Sequence, residues 1–507
     1  MEVGTALAHL ALGLQVALSW QNLAAALAGA TLGTLIGVLP GLGPVATMAM
    51  LLPSVYAMDA TAALIMLAGI FYGAQYGGST TSVLLNVPGE ASSVMTAVDG
   101  HAMARQGRAG VALAVAALGS FVAGTVGTAV VALLAAPLSA VALTFGPREN
   151  FALLLFGLVS SVVLVRGSLL KGLGIMLLGM LLGQVNTDRI SGVARYSMGW
   201  VELTDGIGVV VVAMGVFGIA ELVLSVGHAG STRPPSVHPA AAVWPTRQDW
   251  AQAWPAVLRG TMVGTLLGLK PGSGPVMASF MAYALEKKCA GVRGEPAMGN
   301  GNLRGVAAPE AANNAAAQVS FIPMLTLGIP TGPVMAMLVA ALMIKGIAPG
   351  PQVMTGNPEL FWGLIASMWV GNLMLLVLNL PLVGLWASLL RVPYRLLYPA
   401  ILAFSSIGLY SVNNMGFEVV LGALFGLLGV VLRRLGNDMA PLVLGFVLGV
   451  PIEENLRRSL LLSHGDWSTL WSRPLAAILL VTTLALVVGV AWSRARGARA
   501  GPQARRH

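Results

Sequence analysis

Residues 33–45 read GTLIGVLPGLGPV, and residues 264–276 read GTLLGLKPGSGPV. Nine of the thirteen positions are identical, at an offset of 231 in a chain of 507 residues. Both copies carry a Pro-Gly-x-Gly-Pro core inside otherwise apolar, helix-length sequence. Pro40 and Pro44 bracket one core, Pro271 and Pro275 the other. Proline removes a backbone donor and crowds the preceding turn, while glycine tolerates non-helical angles. Each copy therefore predicts a helix that breaks, and the chain breaks it twice in the same way.

The apolar setting fixes the class. The chain is 56% hydrophobic and 9% charged, against about a quarter charged in soluble globular chains. Mean hydropathy is +0.82. Apolar runs long enough for some 30 Å of hydrocarbon recur at residues 111–136, 151–165, 206–226, 373–390 and 475–492. The alternating ten-residue pattern of a membrane β-barrel is absent. The composition predicts an all-α polytopic membrane protein.

Net charge is +9, and Arg494, Arg496, Arg499, Arg505 and Arg506 supply five of it. A basic tail beyond the last apolar run reads as a cytoplasmic end. No basic module with interleaved aromatics accompanies it, so nucleic acid is not an expected partner. No Lys or Arg precedes Arg105, so the start lacks the charged region of a signal peptide. A single cysteine, Cys289, excludes an intrachain disulfide and a cysteine-based metal cluster.

The chain divides into a first transmembrane repeat (1–226), a Pro- and Trp-rich polar linker (227–258), a second repeat (259–493) and the basic tail (494–507). Each repeat holds the broken helix followed by a second interrupted apolar segment. In the first, the polar run 73–81 (GAQYGGSTT) interrupts the apolar sequence, which ends at Pro88-Gly89-Glu90, giving an interrupted segment 73–90. In the second, that segment is 305–351. Its Gly328-Ile329-Pro330-Thr331 resembles Asn86-Val87-Pro88-Gly89 at an offset of 242. Paired interrupted segments in corresponding places point to a transporter's binding site.

Loop charge bears on orientation. Residues 54–59, after the first motif, hold no Lys or Arg; residues 286–304, after the second, hold Lys287, Lys288, Arg293 and Arg304. After the second interrupted segment the bias swaps, with Arg105 and Arg108 in one half and only Lys345 in the other. Opposite bias at equivalent loops predicts opposite orientation, an inverted repeat with Pro/Gly-broken or re-entrant helices.

Broken backbone at membrane depth survives only when buried in protein or lining a wet cavity. Helix N-termini and successive N–H groups favour a carboxylate, and freed carbonyls favour a cation. A single Pro-Gly pair also fits a loop at the bilayer surface; duplication inside matched apolar flanks favours the site. Gln75, Tyr76, Ser79, Thr80 and Thr81 offer amide and hydroxyl groups for a sodium or carboxylate shell, or small residues for helix packing. Glu310, Asn313 and Asn314 share one helical face by their spacing, unless they lie in a loop outside the bilayer. A carboxylate and an amide pair at membrane depth are costly and mark function. Glu90 and Lys270 are further candidates, able also to snorkel to an interface. His101, His464, Glu453, Glu454, Arg457 and Arg458 read as solvated-loop residues.

No phosphate-binding Gly-x-x-x-x-Gly-Lys-Ser/Thr loop and no His-Glu-x-x-His is present. Gly272-Ser273-Gly274 has the look of a serine nucleophile, but no histidine stands in a comparable apolar segment to act as base. An enzyme is not expected.

Further stretches sharpen the reading: GVLPGLGP, GIFYGAQYGGSTTSVLLNVPGEASSV, GVAAPEAANNAAAQ, LTLGIPTGPVMA, GIAPGPQ, and late in the chain APLVLGFVLG with PIEENLRRSLLLSHGDW. On these, the chain resembles the large membrane subunit of tripartite tricarboxylate transporters, across both halves. The resemblance implies a multi-pass permease of the bacterial inner membrane, working with a small membrane subunit and a periplasmic solute-binding protein. It also implies uptake of citrate-like or other carboxylates driven by a cation, typically sodium, with no other cofactor. Lys270 departs from the apolar residue expected before Pro-Gly.

The expectation is then secondary active import. Backbone at Gly41, Gly43, Gly272, Ser273 and Gly274 holds the substrate's oxygens, and Ser79, Thr80 and Thr331 add hydroxyls. Asn313, Asn314 and Glu310 serve the coupling cation, with Lys270, Glu90 and Gln75 as further members. A stand-alone ion-coupled organic-anion carrier and a passive channel are the alternatives.

Overall fold

The computed structural model describes residues 3–39, 43–164, 168–188, 191–226, 244–270, 274–289, 295–389 and 394–499. Six helices begin the chain: α1 (Val3–Ala17), α2 (Trp20–Val38), α3 (Pro44–Tyr56), α4 (Ala60–Leu85), α5 (Val94–Arg105) and α6 (Ala109–Ala142). Next come α7 (Pro147–Leu164), α8 (Leu169–Gly183) and a short hairpin of β1 (Asn186–Thr187) with β2 (Ala194–Arg195). Then follow α9 (Val209–Ala213), a π-helical turn (Met214–Ile219), α10 (Ala220–Val226), α11 (Arg247–Gly268) and α12 (Gly274–Cys289). The middle of the second half is α13 (Arg304–Val319), α14 (Phe321–Leu327), α15 (Pro333–Ile344), α16 (Gln352–Gly356) and α17 (Pro358–Asn379). It closes with α18 (Val383–Leu389), α19 (Tyr394–Asn413), α20 (Gly416–Arg434), α21 (Ala440–Leu462) and α22 (Pro474–Arg499).

Six of these helices, α2, α4, α6, α17, α20 and the Pro474–Trp492 part of α22, are long and apolar enough to cross a bilayer. Along α22 the large residues Ile478, Val481, Leu484, Val488 and Trp492 are all exposed. A surface of that kind suits lipid rather than water. The chain is an all-α multi-pass membrane protein.

Two compact units are present. One is Met1–Leu143 with Val210–Val430, and the other is Thr144–Val209 with Val431–His507. The smaller unit thus takes one stretch from each half of the sequence.

Glycine decides the packing of the larger unit. On α2, Gly29, Gly33 and Gly37 recur every four residues and lie on the backbone of α4 at Met66, Ile70 and Ala74. On α11, Gly260, Gly264 and Gly268 do the same against Ala308, Ala312 and Ala316 of α13. A Cβ at Gly33 would stand 2.8 Å from Ile70 Cα, and one at Gly264 2.9 Å from Ala312 Cα. Only hydrogen fits, so backbones touch, as in small-residue packing of membrane helices. The smaller unit uses the same device: Gly179 and Gly183 of α8 meet Leu442 and Phe446 of α21, while Gly445 meets Met176.

Both opening motifs end a helix. α2 stops at Val38 and the next helix starts at Pro44; α11 stops at Gly268 and the next starts at Gly274. The second interruptions fall at residues 86–90 and 328–332. Asn86 (φ 57°) and Gly328 (φ 70°) close α4 and α14 in the left-handed region. One expectation is corrected here. The polar run 73–81 does not interrupt its segment, because α4 is continuous from Ala60 to Leu85 and buried there. Gly73 and Gly77 face α2, and the hydroxyls are held inside the unit, so polarity did not require a break.

The linker and the tail are also shorter than expected. Residues from Arg247 onward are helical, started by the reciprocal Thr246–Asp249 capping box; 227–243 lie outside the described residues. In the basic tail, α22 continues to Arg499. Glu453, Glu454, Arg457 and Arg458 sit on α21 rather than in a loop. There Glu453 and Arg457 join Asp188 and Arg195 in a network of ion pairs at 2.8–3.0 Å. The amino-terminal stretch forms α1, which packs on α17 with His9 stacked on Trp362 at 5.0 Å.

Candidate functional site

Every residue of α13 is buried, which is unusual for a segment reading RGVAAPEAANNAAAQV. Alanine makes this possible, since small side chains let α4, α5, α6, α11 and α12 all approach one helix. The polar residues of α13 must then find partners inside the protein, because water cannot reach them.

Glu310 finds its partners in the first half of the chain. Ser79 Oγ on α4 donates to Glu310 Oε2 at 2.6 Å, and Thr96 Oγ1 on α5 donates to Glu310 Oε1 at 2.5 Å. One turn on, Asn313 Nδ2 lies 3.4 Å from Glu90 Oε1. Ser92 Oγ donates to Glu90 Oε1 and stands 2.8 Å from Gln75 Oε1. Gln75 is itself one turn from Ser79, whose hydroxyl is 3.1 Å from the Gln75 carbonyl. These residues close a ring: Glu310, Ser79, Gln75, Ser92, Glu90, Asn313. Glu310 and Asn313 are wholly buried, while Glu90, in the 86–90 interruption, keeps part of its surface open.

The 86–90 interruption meets the end of α2 beside this ring. Gly89 lies against Gly37 at the end of α2, and a Cβ on it would stand 2.7 Å from Gly78 Cα. Thr81 Oγ1 donates to Gly37 O at 3.2 Å, satisfying a carbonyl near the helix end. A Cβ on Gly78 would stand 2.9 Å from Glu90 Cγ. The glycines let the 86–90 interruption close on the end of α2 and on α4.

The remaining expected residues divide. Asn314 turns away to α6, its Nδ2 donating to Ser120 Oγ at 2.7 Å and to Glu310 O at 3.1 Å. Ser79 is engaged with Glu310. Gly43 caps α3, and a Cβ there would meet nothing within 4 Å. Gly274 opens α12 with φ +21°. Thr80 and Thr331 are buried, the latter in the 328–332 interruption. Lys270 is half-buried at the end of α11. Gly41, Gly272 and Ser273 lie outside the described residues.

Three members of the neighbourhood escaped the sequence reading. Thr96 carries no motif, and Ser92 lies in the quoted stretch ending GEASSV without a role of its own there; their place just after Pro88-Gly89-Glu90 could have drawn attention. Asp99, fully buried on α5, accepts from the backbone N–H of Gly299 (2.8 Å), Gly301 (3.0 Å) and Asn302 (2.8 Å), and from Tyr283 OH at 2.9 Å. It ties the start of α13 to α5. His101, expected in a loop, is on α5 with Nδ1 3.1 Å from Val83 O.

The buried Glu310 carboxylate of the second half is thus met by hydroxyls of the first half, beside the 86–90 interruption. Comparison of the sequence matches residues 23–444 to the Tripartite tricarboxylate transporter TctA family. The chain belongs to that family. Two proteins of Agrobacterium vitis are similar to it. An uncharacterized 52.8 kDa protein in the TAR-I ttuC' 3' region is 51% identical over 482 residues, 95% of each chain. An uncharacterized protein in the TAR-II ttuC' 3' region is 54% identical over 225 residues, 44% of this chain and 92% of that one. No solved structure matches. Membership of the TctA family makes the chain a transporter subunit of the tricarboxylate class.

Proposed function

We propose that this TctA-family chain is the permease of a binding-protein-dependent secondary active transporter that imports carboxylates, citrate-like among them, on a cation gradient, with sodium as the expected ion. It works in the bacterial inner membrane with a periplasmic solute-binding protein and a small membrane subunit, its C-terminus in the cytoplasm. The substrate's oxygens rest on backbone N–H groups at the α2–α3 and α11–α12 breaks, and movement of one part of the protein against another alternates access.

One observation carries this reading. The glycine rows on α2 and α11 are 231 residues apart, and the backbone positions they touch on α4 and α13 are 242 apart. Those are the offsets of the Pro-Gly-x-Gly-Pro motifs and of the second interruptions. These matching offsets support reading the two helix pairs as copies of one unit, one in each half. Two such pairs with opposite loop charge fit inverted repeats around one central site. Single cysteines in loops 54–59 and 286–304 should label from opposite faces; labelling from one face overturns the inversion.

The deciding experiment is uptake into proteoliposomes holding the chain and its small subunit, with the binding protein outside and labelled citrate and other carboxylates offered. Accumulation above the external concentration under an imposed sodium gradient is expected. Equilibration without accumulation means a channel.

A further inference from the structure

The ring around Glu310 is short of positive charge and of hydrogens. Glu90 and Glu310 have Ser79, Ser92, Thr96 and Asn313 as partners, and among the described residues neither forms an ion pair. Ser92 has one hydroxyl hydrogen and two acceptors facing it, Gln75 Oε1 and Glu90 Oε1. Ser79 is likewise shared between Glu310 and the Gln75 carbonyl. Asn313 Oδ1, wholly buried with its amide against Glu90, has no hydrogen-bond partner among the described residues. An unpartnered buried oxygen beside two uncompensated carboxylates is costly, and a cation removes both costs at once.

Several other charged or titratable groups on the surrounding elements are engaged elsewhere, while Arg105, Lys287 and Lys288 stand in the last turns of α5 and α12 and Tyr72 of α4 lies at Gly371 of α17. Tyr76 of α4 donates to Asn372 at 2.7 Å. On α5, Asp99 takes the Tyr283 hydroxyl of α12 and three backbone amides, and His101 faces Val83 O. Glu286 of α12 is held by Arg259 of α11 and Arg304 of α13, and Arg304 also pairs with Glu295. Arg108, before α6, pairs with Asp249 of α11. None of these supplies the ring with its missing charge.

We infer that Glu90 and Glu310, one from each half of the chain, hold a single hard monovalent cation, Na⁺ or a proton, with Asn313 Oδ1 as a further ligand. This rests on the transport reading and names its coupling site. It also separates that site from the substrate's: Ser79 and Gln75 belong with the cation, and Asn314 belongs to the α6 contact. Oxygen-only donors suit a hard cation. Glu90, partly exposed at the interruption, gives entry to a buried Glu310. The end of α2, where the first break begins, meets the same interruption through Gly37 and Gly89, so occupancy of one place bears on the other.

The test uses the full chain in lipid nanodiscs, with no substrate present. In one arm, NaCl replaces choline chloride at constant ionic strength while thermal unfolding is followed. In the other, the protonated-carboxyl infrared band is followed against pH in choline chloride. Wild type, Glu90→Gln and Glu310→Gln are compared, with Glu418→Gln, a buried carboxylate bonded to Asn413, as control. Should a Gln variant fail to fold, Glu310→Asp and Glu90→Asp carry the comparison.

A sodium-dependent rise in Tm whose midpoint weakens at least about tenfold in both variants, and not in the control, identifies Na⁺. A titrating carboxyl band lost in Glu310→Gln, displaced in Glu90→Gln and kept in the control identifies a proton. No response in either arm, or responses unchanged in both variants, overturns the inference. Its failure is distinct from that of the permease reading. Variant uptake still driven by the cation gradient sinks the ring alone, whereas absence of uptake by wild type with any carboxylate sinks the permease and leaves the binding result standing.

Discussion

Replacing Gly33 or Gly264 by alanine tests the contact on which the fold of the larger unit depends. Each is the first residue of its motif, and each sits on a neighbouring helix backbone. A Cβ at Gly264 would be 2.9 Å from both Cα and C of Ala312, and one at Gly33 2.8 Å from Ile70 Cα and 2.9 Å from Gly73 Cα. Carbon atoms settle at about 3.5–4.0 Å, so α11 and α13, or α2 and α4, must part by about 0.6–1.2 Å at that level. The obstacle is backbone, which cannot rotate aside. Against this stands the better helix propensity of alanine, about 1 kcal/mol. Overpacking of a close contact costs about 1–3 kcal/mol. Because the strain spreads along whole helices, the loss should win. Thermal unfolding in detergent, read by size-exclusion fluorescence, should show Tm lowered by about 2–4 °C for each variant. Gly174→Ala is the control: it lies within α8, exposed, with nothing inside 4 Å of its Cβ. It should match or exceed wild type. If Gly33→Ala and Gly264→Ala unfold no earlier than Gly174→Ala, the backbones are not in contact, and the repeated register loses its meaning.

Three further outcomes follow from named contacts. Asp99→Ala removes the acceptor for three backbone N–H groups, each worth about 1–3 kcal/mol if left buried and unpaired; hydrogen exchange at Gly299, Gly301 and Asn302 should accelerate, and unchanged exchange refutes the tie. At Asp249 burial pushes the carboxyl pKa up, but the Thr246 amide and hydroxyl and the Arg108 guanidinium outweigh it, and the net shift is downward. A depressed folded-state pKa gives stability that is present above the unfolded value, about 3.9, and lost as pH falls through the folded value below it. The Tm gap between wild type and Asp249→Asn should therefore be open at neutral pH and close in acid; a gap that widens in acid is the wrong sign. In the smaller unit, Arg195→Ala removes one of the two guanidinium groups paired with Asp188 and Glu453, and should lower Tm more at low salt than at high salt.

Much of this was readable because proline and glycine act locally. A Pro-Gly-x-Gly-Pro core stops a helix wherever it stands, and α2 and α11 end just before their cores. The run 73–81 misled for the opposite reason. Its glycines and hydroxyls look like a break in one dimension, yet Gly73 and Gly77 are packing surface against α2, and Ser79 and Thr81 donate to groups far off in sequence. Whether a glycine loosens a helix or docks it depends on the neighbour, which the sequence does not name. Spacing likewise put Glu310, Asn313 and Asn314 on one face. A helical face spans an arc, however, and the arc of α13 is shared by α4, α5 and α6, so Asn314 reached Ser120 instead. Ser92 and Thr96 were silent, since a serine or threonine becomes a carboxylate's donor only when another chain segment brings the carboxylate to it.

The α2–α4 and α11–α13 contacts share a register, and the chemistry of α4 and α13 differs at matching positions. At the offset of 242, the positions matching Glu310, Asn313 and Asn314 are Ala68, Phe71 and Tyr72. The glycine–backbone contacts keep the same register in both halves, so these side chains occupy equivalent places on α13 and α4. One helix offers a carboxylate and two amides there, and the other offers apolar and aromatic bulk. Among the described residues, α13 carries an acidic group at this level and α4 carries none. On the reading proposed above, duplication supplies two helix breaks, while Glu310 on α13 and Glu90 at the 86–90 interruption supply the charge. A coupled carrier needs both, because the framework must be able to exchange its two faces while the bound charge decides when it does.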